Sequence, residues 1–332
     1  MRLCVRQMEP GDVNHCVAML AADPEEQRRY GAQLEQLSTA WLKLLRTGSL
    51  NTTVIEDTSN PRPVAFGVSV FIADEFLHEL KAVPRRWIGP TLTNRVHSTI
   101  PGILAPVQIP QANSSSGLNL TIWSGVVSVA PDVGPMMHVE LWRGFFEAHR
   151  GFQIKEIICQ PLDPQKIRAS FQAGFFWLSD EGHYVDGQLQ SFEELSESPF
   201  IMGGDRETAN RAFGSWLSGL FAYNPPTMYL RPTEQRLLLA ALRGLTDEEL
   251  ADELRISVSA VKKTWRVIYE RTGSMWNGDL PDDRAEDSDG KRGKEKKQHF
   301  LSYLRAHMEE LRPVLPPPPP VARERTSSMP PA

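Results

Sequence analysis

The sequence predicts a two-part chain: a layered α/β domain over residues 1–190 and an all-α helix-turn-helix domain over residues 229–314. Strand-like apolar runs alternate with runs of helical period through the first part, as in a mixed sheet with helices on both faces. From Tyr229 the pattern becomes almost wholly helical. The length, 332 residues, suits two domains of ordinary size.

The expected strands are Leu3–Met8, Thr52–Glu56, Val64–Ile72, Leu118–Val129, Ile154–Cys159 and Phe175–Ser179. Helical patterns lie between them at Gly11–Leu20, Glu25–Leu45, Met136–His149 and Pro164–Ala173. The Pro-rich stretch 73–117 interrupts the alternation and predicts loop. Residues 191–228 read as a linker with one helix, Arg206–Phe221, which carries Phe213, Trp216, Leu217 and Leu220 on one face. Asn224-Pro225-Pro226 ends that helix. Residues 277–297 hold an acidic run and then a basic run with few apolar residues, so a disordered loop is expected there. The Pro-rich tail 315–332 cannot build a core and is also expected to be disordered.

A formal charge of −5 excludes a uniformly basic nucleic-acid binder but not a local basic surface. Cys4, Cys16 and Cys159 are scattered, with no metal-ligand spacing. This pattern predicts no metal site, and a reducing cytoplasm is the expected compartment. Neither a signal peptide nor a membrane span is expected. No GxSxG, HExxH or Walker-A motif occurs.

The helical part is the more specific. Leu237, Leu238, Ala241 and Leu242 form one apolar stripe, ended by Gly244. Thr246-Asp247-Glu248-Glu249 reads as a capping box. Arg255-Ile256-Ser257 makes a tight turn, with Ser257 as the N-cap of the next helix. On that helix Val258, Val261, Trp265 and Ile268 share one side; Ser259, Lys263 and Arg266 share the other, with Lys262 on its flank. One face can dock on its neighbours while the other presents cations outward, as a major-groove helix requires.

Leu230, Glu234, Leu237, Leu238, Gly244, Thr246, Glu249, Leu250, Ala251, Leu254, Ile256, Ser257, Val261 and Lys262 fall in the order of the LuxR-type helix-turn-helix, and this stretch resembles that family over about 45 residues. The resemblance implies a bacterial transcription regulator bound to double-stranded DNA. It places Lys262 and Thr264 near phosphates, Ser259 and Lys263 at base edges and Arg266 further along the groove, and counts the N-cap Ser257 among the DNA-binding residues. The family's usual Thr, His and Asn are Ala260, Thr264 and Val267 here. Its fourth helix, which pairs subunits, is displaced beyond the charged loop. Phe300, Leu301, Leu304, Met308 and Leu311 form an apolar stripe there, which can pack on the domain or make a homodimer.

The first part opens with Val5-Arg6-Gln7-Met8-Glu9-Pro10-Gly11-Asp12-Val13 and nears its end at Ala169-Ser170-Phe171-Gln172-Ala173-Gly174-Phe175. Both runs, and the element order, resemble the GNAT N-acetyltransferase superfamily. That likeness implies an acyl-CoA loop following a Val-x-Pro strand end, here Val129 and Pro131, then Val133, Gly134 and Met136. The loop has lost the family's Arg/Gln and a glycine, and Pro135 removes an amide donor. The family's frequent Tyr is Ser170. These departures predict a sensing or partner-binding module, with a small-molecule effector, no obligatory cofactor and no catalytic residue. The alternative is an acetyl-CoA-dependent N-acetyltransferase fused to a DNA-binding domain.

Overall fold

A computed structural model describes residues 3–316 except 83–85, 129–132, 162–163, 178–183, 186–187, 190–198, 212–213 and 274–290. Val129, Pro131, Phe213, most of the charged loop and nearly all of the Pro-rich tail lie outside the described residues.

The first part is built on a mixed sheet. Its strands are β1 (Leu3–Arg6), β2 (Asn51–Asp57), β3 (Asn60–Ile72), β4 (Leu118–Val127), β5 (Ile154–Cys159), β6 (Phe176–Trp177) and β9 (Met202–Asp205). A separate hairpin is formed by β7 (Tyr184–Val185) and β8 (Gln188–Leu189). The sheet order is β1-β2-β3-β4-β5-β9-β6. β1 to β4 pair antiparallel, β4 and β5 pair parallel, and β9 pairs antiparallel with both β5 and β6.

Helices cover both faces. α1 (Val13–Ala21), α2 (Pro24–Tyr30) and α3 (Leu34–Thr47) precede β2; α4 (Asp74–Lys81), α5 (Ile88–His97) and α6 (Ile109–Asn113) lie between β3 and β4. Strand alternation puts Ile158 toward the core of α1, α3 and α5, where Trp41 packs edge-on against Phe66 and Trp123. Ile157 faces the opposite core, formed with α7 (Gly134–His149), α8 (Pro164–Gln172) and α10 (Trp216–Phe221).

Several boundaries differ from the sequence reading. The single helix expected over 25–45 is α2, a short 3-10 turn and α3. The presumed loop 73–117 contains α4, α5 and α6: Phe76, Leu77, Leu80, Ile88, Leu92 and Val96 recur at helical spacing and are buried. The linker assignment for 191–228 is corrected, because β9 lies inside the sheet. Its Gly203 and Gly204 carry no strand signal. A Cβ on Gly204 would come within 2.7 Å of the end of the Leu217 side chain, which shows how closely α10 is seated on β9. The helix expected over 206–221 is two helices, α9 (Arg206–Arg211) and α10.

The C-terminal helices are α11 (Pro232–Ala241), α12 (Asp247–Leu254), α13 (Val258–Thr272) and α14 (Lys291–Ala306). α14 takes in the basic half of the expected loop. The Lys296 and Lys297 ammonium groups lie 5.0 Å from the Tyr269 ring centroid and 4.9 Å from that of Trp265, and Lys297 pairs with Asp247 at 2.9 Å. These contacts favour helix where composition favoured disorder. Phe300, Leu301, Leu304, Met308 and Leu311 are buried in the same core as Val261, Trp265 and Ile268. Of the two expectations for this stripe, packing on the domain or forming a homodimer, the described residues show packing within the chain. No helix among the described residues is long and apolar enough to cross a membrane.

The segment from Met308 to Leu315 ties the two parts together. Glu310 accepts hydrogen bonds from the Thr227 amide and hydroxyl and from the Met228 amide. Arg312 donates to the carbonyls of Glu147 and Arg150, both at 2.9 Å, and lies over the Phe152 ring. Its guanidinium thus caps the C-terminal end of α7, where the helix dipole favours a cation. Burial still lowers its pKa, to about 10. The chain passes so close that a Cβ at Gly151 would lie 2.5 Å from the backbone of Met308 and Glu309.

Two predictions follow from this packing. Arg312→Ala removes two hydrogen bonds from a charged donor, of a kind worth roughly 1.5–3 kcal/mol each before relaxation; thermal unfolding will show a lowered Tm and separate melting of the two parts. His149 is buried, donating from Nδ1 to the Phe145 carbonyl, an acceptor only, and accepting at Nε2 from Ser69 Oγ. Burial lowers its pKa to about 3 from an ordinary 6.5. The unfolded state then binds the extra proton between those values. Stability is fully present above pH 6.5 and falls toward pH 3, by up to ~1.4 kcal/mol per pH unit. Urea unfolding of wild type and His149→Gln at pH 7 and 4.5 will show a smaller acid loss in the variant.

Candidate functional site

The parallel register of β4 and β5 stops at Thr121↔Ile158, although β4 continues to Val127. On its other edge, β4 pairs Ile122 with Ser69 and Ser124 with Val68, leaving Trp123 as an extra residue. This is a β-bulge, which bends a strand and increases its twist. Past the bulge, the edge of β4 that faced β5 has no strand partner among the described residues. The Trp123 indole nitrogen donates to the Tyr30 hydroxyl at 3.0 Å, which fixes the bulge to the end of α2.

A cavity of about 150 Å³ occupies the parting. Glu26 and Arg29 of α2 border it from one face of the sheet; His138, Leu141 and Trp142 of α7 border it from the other. Ser124 and Gly125 line it from β4, and Cys159 and Gln160 from the end of β5. The opening therefore joins both faces of the sheet through the seam between two strands.

Its polar groups are few and distinct. The side chains of Glu26 and Arg29 are each 4% exposed and form an ion pair. Burial raises the Glu26 pKa against the attraction of Arg29. The Arg29 guanidinium lies 5.4 Å from the Tyr30 ring centroid and 5.7 Å from that of Trp87. Arg29 Nη1 reaches the Gln160 carbonyl only at 3.5 Å, and the buried Nε has no hydrogen-bond partner. Ser124 Oγ is likewise buried and unpartnered. The Cys159 thiol is pushed up to about 12 by burial and stays protonated at neutral pH, so it is no nucleophile. Ser170 Oγ donates to the Lys166 carbonyl at 2.9 Å.

Of the residues expected to form the acyl-CoA loop, Val133 precedes α7 and Gly134 and Met136 lie in its first turn. Among the described residues no side chain caps this helix at its N-cap, Val133, and a Cβ added at Gly134 would meet nothing within 4 Å. Amides at an uncapped helix start can receive an anion. His138 is exposed, with Nδ1 2.8 Å from the Gly134 carbonyl, a local contact that assigns it no chemistry.

The expected DNA-facing residues fall on one helix. Thr246 and Glu249 form the capping box of α12, and Arg255 at φ 55° ends that helix. Ser257 Oγ accepts from the Ala260 amide and starts α13. Ser259, Lys262, Lys263 and Arg266 are exposed along α13. Thr264 is half-buried and its hydroxyl donates back to the Ala260 carbonyl, so it presents little to a phosphate. Arg271 is drawn inward to Glu234, at 2.6 Å.

Glu26, Arg29 and Ser124 were not singled out by sequence reasoning. The Trp123-Ser124-Gly125 interruption of an apolar strand was the available signal for a bulge. Nothing local to α2 shows that its acidic and basic residues turn inward.

No family model matches the chain, and no curated protein matches its sequence. Distant likeness to solved structures is found over the first two thirds. Aminoglycoside acetyltransferase AAC(6')-Ib in complex with coenzyme A is 15% identical, with 63% of this chain and 98% of that chain covered and a TM-score of 0.33. An uncharacterised protein from Bacillus halodurans is 9% identical over 66% of this chain and 92% of its own, with a TM-score of 0.38. The C-terminal condensation domain of Ebony in complex with beta-alanyl-dopamine is 13% identical over 62% of this chain and 99% of its own, with a TM-score of 0.36.

Proposed function

We propose that the α/β part is an acyl-CoA-dependent N-acyltransferase unit, carried on a chain that also holds a DNA-binding helix-turn-helix. The single observation behind the first half is the parting of β4 from β5 at the Trp123 bulge, with a cavity that opens to both faces of the sheet. Such a seam lets two ligands meet from opposite sides. The strand edge past Thr121 offers backbone groups to a pantetheine-like arm, and the uncapped first turn of α7 offers amides to a pyrophosphate. These features fit an acyl-CoA despite the loss of the glycine-rich loop pattern. Gly134 and Met136 would lie against the phosphates, and Ser124 and Gly125 beside the acyl end. The bound thioester would supply an activated acyl carbonyl.

An amine acceptor must lose a proton before it can attack. Glu26 is suited to take it, because a carboxylate whose pKa is raised by burial is a stronger base. This reading replaces the purely sensory role expected from the degraded loop and the absence of the usual Tyr.

A second reading concerns α13 and is compatible with the first. The outward row Ser259, Lys262, Lys263 and Arg266, on a helix set by the Thr246–Glu249 and Ser257 caps, favours entry into a major groove. Ser259 and Lys263 are placed for base edges, each such contact contributing roughly 1–3 kcal/mol of discrimination.

Each half has its test. Calorimetric titration of the full chain with acetyl-CoA will show saturable binding, and Gly134→Asp will weaken it at least tenfold without lowering Tm. The new carboxylate has room and suits the helix start, but repels phosphate. Absence of binding by wild type, or equal binding by the variant, removes the acyl-CoA reading. For α13, selection from a random DNA pool will enrich a motif that a Lys262→Glu/Lys263→Glu variant loses, with binding that falls steeply with salt. No enrichment by either protein removes the DNA reading.

A further inference from the structure

The acceptor side of the cavity carries more chemistry than amine deprotonation needs. Glu26 and Arg29 both border it, both are nearly excluded from water, and they sit one helical turn apart on α2. A buried charge pair is expected to have its remaining hydrogen-bonding positions filled, because leaving a buried donor unmet is costly, more so when it is charged. Arg29 does not meet that expectation. One arm holds Glu26, one reaches the Gln160 carbonyl at the limit of a hydrogen bond, and Nε holds nothing. Across the same cavity, Ser124 Oγ is also without a partner. Two unfilled polar positions, one of them cationic, therefore border one small space beside a carboxylate.

A simple amine accounts for only half of this arrangement. Its ammonium can meet Glu26, but it leaves the Arg29 Nε and the serine hydroxyl as they are and adds a second cation near the guanidinium. A carboxylate on the same molecule fills both positions. Resting on the acyltransferase reading, we propose that the acceptor is an aminocarboxylate, a free amino acid or a close relative, whose ammonium faces Glu26 and whose carboxylate is held by Arg29 with Ser124. The rings of Tyr30 and Trp87 over the guanidinium hold it in place for such a role. The transfer then forms an amide from the acceptor nitrogen and the acyl carbon and breaks the acyl–sulfur bond. The ammonium gives one proton to Glu26 before attack; the second proton leaves the nitrogen as the acyl–sulfur bond breaks and is balanced by the one the departing thiolate takes up.

The test is a binding measurement on the full chain, with no thioester present. Each of the twenty L-amino acids is titrated by calorimetry beside its decarboxylated amine, for instance phenylalanine beside phenethylamine and tyrosine beside tyramine. Acetyl-CoA is titrated separately. At least one amino acid will bind, and its decarboxylated amine will bind at least tenfold more weakly. Arg29→Met will bring the two within about twofold of each other. Ser124→Ala, a small change that leaves the α2 ion pair intact, will weaken the amino acid about threefold to tenfold and the amine hardly at all, which keeps the idea testable should Arg29→Met not fold. Amines that bind as well as amino acids, or amino acids unbound by a protein that binds acetyl-CoA, overturn the proposal and leave the acyltransferase reading standing. Amino-acid binding by a protein that ignores acetyl-CoA does the reverse.

Discussion

The bulge at Trp123 is the constraint on which the functional architecture depends. β4 and β5 pair in parallel only as far as Thr121 and Ile158, with an irregularity already between Leu118 and Asn119. One extra residue then bends β4 away from its neighbour, and the Trp123–Tyr30 hydrogen bond secures the bend from the α2 side. A bend of this kind exposes backbone groups along β4 in the interior of the sheet. Such groups are costly to leave unmatched, so the seam is suited to a ligand that can pair with them. The cavity, the buried Glu26–Arg29 pair and the open first turn of α7 all border or approach that seam.

α7 also links the cleft to the rest of the chain. Its first half borders the cavity through His138, Leu141 and Trp142. Its last turn supplies the His149 bonds to Phe145 and Ser69, and its C-terminal carbonyls accept from Arg312. Arg312 belongs to the segment whose Glu310 anchors the start of the C-terminal helices through Thr227 and Met228. One helix thus lies between the proposed acyl-CoA site and the base of the C-terminal helices.

Much of this was legible in the sequence, and the failures have physical causes. The capping box at Thr246–Glu249, the Ser257 cap and the split faces of α13 are local features, and local chemistry forms them. The order of the strands through Cys159 was legible for the same reason, whereas the helices α4, α5 and α6 were read as loop. β9 was missed because Gly203 and Gly204 have no strand propensity, and at Gly204 the Leu217 side chain packs close. The N-terminal half of α14 was missed because its lysines look like a solvated run until Trp265 and Tyr269 come beneath them. Val133, Gly134 and Met136, read by position as a ligand loop, lie at the start of α7 and do not line the cavity. Glu26, Arg29 and Ser124 do line it but were not legible, since only the bulge and the packing of α2 bring them to one cavity.

The most direct test of the central claim is hydrogen–deuterium exchange of the full chain with and without acetyl-CoA. The account predicts slowed exchange confined to the β4 segment Ile122–Val127 and the first turns of α7, with the rest of the sheet unchanged. Exchange unaltered in both segments at saturating ligand, or protection that appears elsewhere, would contradict the assignment of the β4–β5 parting as the acyl-CoA site.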